Sequence, residues 1–167
     1  MRTDATKTRT LVLGIGNVLL SDDGAGVHVV NALGQRQDRG EIGSDVALRD
    51  GGTIGLALLS EIEESGALIA VDAMDLDMRP GTVRTFRGAD MDAQLRGNKK
   101  TAHEVALADL IAAARLAGCA PERRALVAIQ PGATGWGLAA TGPVQAAVPK
   151  ACGAVIALIG EWSDAPG

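Results

Sequence analysis

LVLGIGNVLLSDDGAG, residues 11–26, runs an apolar segment into a glycine turn and delivers two adjacent aspartates, Asp22 and Asp23, to the start of a helix. Leu11, Val12 and Leu13 have the short, continuous apolar pattern of a strand buried on both faces of a parallel sheet. Gly14 and Gly16 permit a sharp turn or a close backbone approach. A dinucleotide fingerprint would need glycine at position 19, which is Leu19, and the helix start carries two carboxylates where a pyrophosphate needs positive potential. Acids beside a positive helix end suit a cation or a catalytic carboxylate better, since the macrodipole keeps them ionised. The plainer expectation is that Ser21 or Asp22 caps the helix and leaves the other acid free.

Working outward, residues 25–33 carry apolar positions at helical spacing, Val29 with Leu33 and Val27 with Val30. Residues 45–48 read as a second strand, followed by a DGGT turn at 50–53 and a short helix through Leu56, Leu58, Leu59 and Ile62. Residues 67–71 form the clearest central strand and end at Asp72, which places that carboxylate on the edge where open α/β sheets bind ligands. Residues 82–86 follow an Arg79-Pro80-Gly81 turn as a strand whose short connection suits antiparallel pairing. An amphipathic helix over 105–116, a strand over 125–129 and a long closing helix over 143–162, bent or interrupted at Pro149, complete the order. Alternating strands and helices predict one α/β domain over 1–167, a mostly parallel sheet with helices against it, and a polar, flexible lead at 1–9.

The balance of 20 acidic against 16 basic residues, net charge −4, gives no large basic segment and argues against a nucleic-acid partner. Cys119 and Cys152 lack CxxC spacing, so they read as small buried hydrophobes rather than disulfide or zinc residues. No apolar stretch is expected to reach bilayer-spanning length, and a cytoplasmic protein without membrane insertion is the expectation. The apolar Ile156, Leu158, Ile159 and Trp162 are core or a partner surface, with core favoured.

His103, in TAHE at the start of the 105–116 helix, projects into solvent, binds a metal or caps the helix; His28 is expected on a solvated helix face. Combined with Asp23 and Asp72, His103 completes two carboxylates and an imidazole, a three-ligand set with room for substrate or water. No GxSxG elbow supplies a serine nucleophile, and neither cysteine adjoins a histidine in a recognisable signature. Asp50 either positions substrate or serves only its turn. The RGNKK run at 96–100 reads as a solvated loop or a contact for an acidic partner.

Along nearly its full length the chain resembles the [NiFe]-hydrogenase maturation endopeptidases, through GIGNVLLSDDGAG, the DGGT turn, LIAVDAM, PGTVR, TAHEVALADL and AIQP, in that order. The resemblance implies a five-stranded twisted sheet flanked by helices and removal of a C-terminal extension from the hydrogenase large-subunit precursor after nickel insertion. Carried over by position, the metal-binding residues fall on Asp23, Asp72 and His103; many members have Glu at the first of these. It further implies that nickel arrives with the precursor, bound to its cysteine thiolates, and that no organic cofactor takes part. Hydrolysis then uses the metal as Lewis acid or a carboxylate as general base on water. The other readings are a metal-binding protein without peptidase activity and a nucleotide-binding module.

Overall fold

The computed structural model describes residues 9–52, 57–97 and 101–164. Expectations that fall on residues 1–8, on Thr53 and Leu56, and on residues 98–100 of the RGNKK run lie outside the described residues.

The chain forms β1 (Thr10–Ile15), a 3-10 turn (Ser21–Gly24), α1 (Ala25–Asp38), β2 (Val46–Gly52), α2 (Leu58–Glu63) and β3 (Ala67–Ala73). There follow β4 (Val83–Arg87), α3 (Ala89–Leu95), α4 (Ala102–Leu116), β5 (Arg123–Ile129) and α5 (Gly142–Asp164). The five strands lie in the order β2-β1-β3-β5-β4, parallel except for β4, which runs antiparallel to β5. This is the expected α/β class with the expected antiparallel strand.

Both faces of the sheet are apolar, which is why the central strands read as continuous hydrophobic runs. Val12, Ile69, Val71, Ala125, Val127 and Ile129 pack under α1 and α5. Leu11, Leu13, Leu68, Ala70, Leu126 and Ala128 alternate with them and pack under α2, α3 and α4. Helices therefore cover both faces. From β1 the chain goes first to β2 on one side and then to β3 on the other, so the carboxyl ends of β1 and β3 flank the point where the winding reverses. Open sheets of this kind bind ligands in that crevice.

Several expectations need correction. Residues 50–52 are not a free turn but the end of β2, with a register irregularity opposite Gly14 and Ile15; an edge strand tolerates Asp and Gly where a central one would not. Pro149 lies inside α5 without interrupting it, on the exposed side. With 23 residues, about 35 Å at helical rise, α5 is long and apolar enough by composition to cross a bilayer, contrary to the sequence expectation. Its stripe of Val144, Ala147, Ala151, Val155 and Leu158 packs into the sheet core, and Ile156, Ile159 and Trp162 flank it, as in a core helix. His28 is half-buried, with Nε2 shut off from solvent and without a hydrogen-bond partner among the described residues, rather than on a solvated face. Cys152 is buried as expected, and Cys119 is partly so.

Candidate active site

The glycines of GIGNVLLSDDGAG are consumed by packing. A Cβ on Gly26 would overlap the backbone of Val71 and Ile15, so only glycine lets α1 sit directly on the ends of β1 and β3. Gly16, at φ +129°, touches the Asp23 carbonyl, and a side chain there would displace the turn that carries the acid. These contacts leave no open glycine cradle of the dinucleotide kind and instead fix Asp23 above the crevice.

Neither Ser21 nor Asp22 caps a helix; both starts lack a side-chain cap, which corrects that expectation. Asp22 instead ties down the 132–141 loop. It accepts hydrogen bonds from the amides of Gly132 (2.8 Å), Ala133 (3.0 Å) and Thr141 (2.6 Å) and from the Thr141 hydroxyl (2.8 Å). Burial by itself would raise its carboxyl, but these donors outweigh it and hold the group below the usual carboxylate range.

Asp23 is turned toward α4 instead. Its Oδ2 accepts from the Asn17 amide at 2.9 Å and lies 3.2 Å from His103 Nε2, across 80 residues of sequence. His103 is placed by the first turn of α4, where a reciprocal capping box operates. The Glu104 amide donates to Thr101 Oγ1 (3.3 Å), and the Thr101 amide donates to Glu104 Oε2 (3.1 Å). The sequence carries the signal for this cap as Thr-x-x-Glu at 101–104.

Asp72, at the end of β3, lies on the α4 side of the sheet by its alternation with Ala70 and Met74. It is 1% exposed, and neither carboxylate oxygen has a hydrogen-bond partner of good geometry among the described residues. Burial first, then the negative charges of Glu104 and Asp23, push its carboxyl well above the ordinary range, against a smaller opposing pull from the Ala73 backbone amide. Glu104 itself is buried and was not expected in the site.

The three residues singled out from sequence thus converge on one edge of the sheet without closing into a tight cluster. Asp23 and His103 touch, and Asp72 is coupled to Asp23 through charge. Among the described residues no three His, Cys, Asp or Glu side chains are gathered closely enough to enclose a metal ion. Asp50 is exposed at the end of β2, where its Oδ1 accepts from the Gly52 amide at 2.9 Å, a local turn contact. Gln130, buried, accepts at Oε1 from the Leu76 (2.6 Å) and Met78 (3.3 Å) amides and so fixes the chain leaving β3. That chain borders a cleft of about 310 Å³ walled by Met74, Leu76, Met78 and Phe86 with Arg84 and Gln94, beginning two residues beyond Asp72.

The doubly wound sheet thus carries a buried acid and an acid–imidazole pair at its switch point, where open α/β enzymes bind their ligands. Comparison with known proteins specifies the class. The family model for hydrogenase maturation proteases matches residues 27–158. The hydrogenase 2 maturation protease of Escherichia coli (strain K12) is 36% identical over 154 residues, 92% of each chain. A hydrogenase expression/formation protein, HupD, of Rhodobacter capsulatus is 43% identical over 123 residues, 74% of this chain; the chain spans 57% of that relative's length. The hydrogenase maturating endopeptidase HybD from E. coli superposes with a TM-score of 0.83 at 34% identity, covering 92% of this chain and 93% of that one. The chain belongs to the hydrogenase maturation protease family, whose members are endopeptidases and hence hydrolases.

Proposed function

We propose that this protein is a nickel-gated endopeptidase that removes a C-terminal extension from a [NiFe]-hydrogenase large-subunit precursor once nickel has been inserted. The observation that carries this reading is Asp72, a buried carboxylate with neither oxygen partnered among the described residues, beside the Asp23–His103 pair. Leaving a buried polar group unsatisfied costs about 1–3 kcal/mol, and such a cost is retained where a ligand completes the group.

Two carboxylates and an imidazole are hard-to-borderline donors compatible with Ni²⁺, and their open arrangement leaves coordination to be completed by the substrate's own ligands. Nickel in this reading is cargo of the precursor; Asp23, Asp72 and His103 would hold it, and it would supply Lewis acidity toward the scissile carbonyl or a water. Asp23 accepts from the Asn17 amide, which fixes the carboxylate toward His103. His103, held by the capping box, presents Nε2 to the same point. Asp72 supplies the carboxylate beneath, either as a ligand or as the base that takes a proton from the attacking water. The cleft beyond Asp72, where Met74, Leu76, Met78 and Phe86 stand among Asp75, Asp77, Arg84 and Gln94, gives the polypeptide on one side of the bond a mixed apolar and polar wall.

The test is cleavage of nickel-loaded precursor with metal-free precursor in parallel, by wild type and by His103→Ala. Release of a C-terminal peptide from loaded precursor alone, and by wild type alone, supports the reading. Equal cleavage of both precursor forms removes the nickel gate, and full cleavage by His103→Ala removes that residue from the site.

A further inference from the structure

Two segments frame the Asp23–His103 pair, and neither contains a charged residue: TLVLGIGNVLLS at 10–21 and ALVAIQPGATGWGLAATGPVQAAVP at 125–149, in a chain that is 22% charged. Where they leave the sheet they place apolar side chains in water. Trp136 is 85% exposed and Leu138 78%, with Val18 and Leu19 also exposed. The chain has only two Trp and one Phe, so one of its three large apolar aromatics is held outside the core.

These loops are not loose. The Ser21 amide donates to the Gly137 carbonyl (2.8 Å), the Gly137 amide to the Leu19 carbonyl (2.9 Å), and Ser21 Oγ to the Gly135 carbonyl (2.9 Å). Asp22 grips the same loop at Gly132, Ala133 and Thr141. A tryptophan and a leucine on either side of Gly137 are thereby presented on a braced backbone. Charge depletion with a fixed aromatic anchor is the composition of an interface core, and bracing lowers the ordering cost of docking.

What covers the patch follows from its continuity with the site. The loop that bears Val18 and Leu19 folds around Asp23, whose carboxylate accepts from Asn17 of that loop. A polypeptide held at Asp23 and His103 lies against it. We infer that Val18, Leu19, Trp136 and Leu138 form the docking platform for the protein substrate, receiving an uncharged, apolar face of the precursor next to the bond that is cut. This rests on the peptidase reading above, and Asp22 is the residue that positions the platform against the site.

The experiment is steady-state cleavage of the nickel-loaded large-subunit precursor from the same organism by wild type, Trp136→Ser, Leu138→Ser and the double variant. Melting curves and light scattering accompany each protein. Because both side chains are exposed, melting temperatures should match wild type. Trp136→Ser is expected to raise KM about 10-fold or more, the double variant further, with kcat within about 2-fold. An unchanged KM in the double variant overturns the proposal, as does a fall in kcat alone. A wild-type dimer that the double variant dissociates without changing cleavage also overturns it and assigns the patch to a second copy. Failure of wild type to cleave strikes the peptidase reading instead. Docking is then read by biolayer interferometry of the same precursor, where loss of binding in the double variant supports the platform and equal binding overturns it.

Discussion

Asp92, on α3, is gripped by two guanidinium groups: Arg124 donates to both of its oxygens at 3.1 and 2.7 Å, and Arg115 donates to Oδ2. Asp72, at the end of β3, is buried at least as deeply, and among the described residues no side chain donates to either of its oxygens. The hydrogen bonds of Arg124 and then Arg115 hold the Asp92 carboxyl below its usual range in spite of burial; burial and neighbouring acids drive Asp72 the other way. The first acid joins α3, α4 and β5 and is complete within the fold. The second is left incomplete by the fold, at the switch point of the sheet, which is where an acid kept for a ligand belongs.

The comparison breaks most clearly on activity. On the proposed function, Asp72→Asn is expected to lower precursor cleavage by about 10²–10³-fold or more, because a neutral amide is a weaker metal ligand than a carboxylate and does not accept a proton from water. Its melting temperature should equal or exceed that of wild type, since no side-chain donor among the described residues is stranded and the cost of ionising a buried acid is removed. Asp92→Ala should do the reverse. Stranding Arg124 is expected to cost about 1–3 kcal/mol, or roughly 5 °C in a domain of this size, with cleavage per folded molecule unchanged; calorimetry beside an activity assay separates the two.

The two acids also carry opposite pH signatures. A native carboxyl below its unfolded value of about 3.9 contributes stability that is complete above that value and is lost as pH falls through the native one. This is the case of Asp92, and of Asp22. For Asp72 the native form binds the proton more tightly, so stability falls as pH rises from about 3.9 toward its raised value. Urea midpoints across pH should therefore lose part of their acid-side drop in Asp92→Asn and part of their neutral-side drop in Asp72→Asn.

Asp22→Asn turns an amide toward backbone N–H donors. It is expected to cost about 1–3 kcal/mol and to raise KM by loosening the 132–141 loop, measured by melting and by cleavage kinetics. The smallest effect belongs to Thr101→Ala, about 1 kcal/mol from the lost cap, together with a lower kcat as His103 loses its fixed first turn.

How much of this was legible follows from how local each signal is. The strands of the central sheet were readable because both faces are covered and their runs are unbroken. The antiparallel β4 was readable from a connection too short to cross over. The seven residues of α3, with Asp90, Asp92 and Gln94 among them, have too little apolar periodicity to stand out. In the site, Asp23, Asp72 and His103 were visible as acids and an imidazole at element ends. Asp22 was not distinguishable from a helix cap, because its partners lie 110, 111 and 119 residues away and nothing beside it points to them. Gln130, likewise, acts on amides 52 and 54 residues distant. The burial of Glu104 is a tertiary fact, although its capping role was written in Thr101-x-x-Glu104.

The most direct measurement is the rate at which Asp72→Asn and wild type release the C-terminal peptide from the same nickel-loaded precursor. An Asp72→Asn protein that melts no lower than wild type yet releases peptide at least about 10²-fold more slowly is the expected result. Wild-type release by that variant, or a loss of activity that merely follows a loss of folded protein, would contradict the assignment of Asp72 to the reaction.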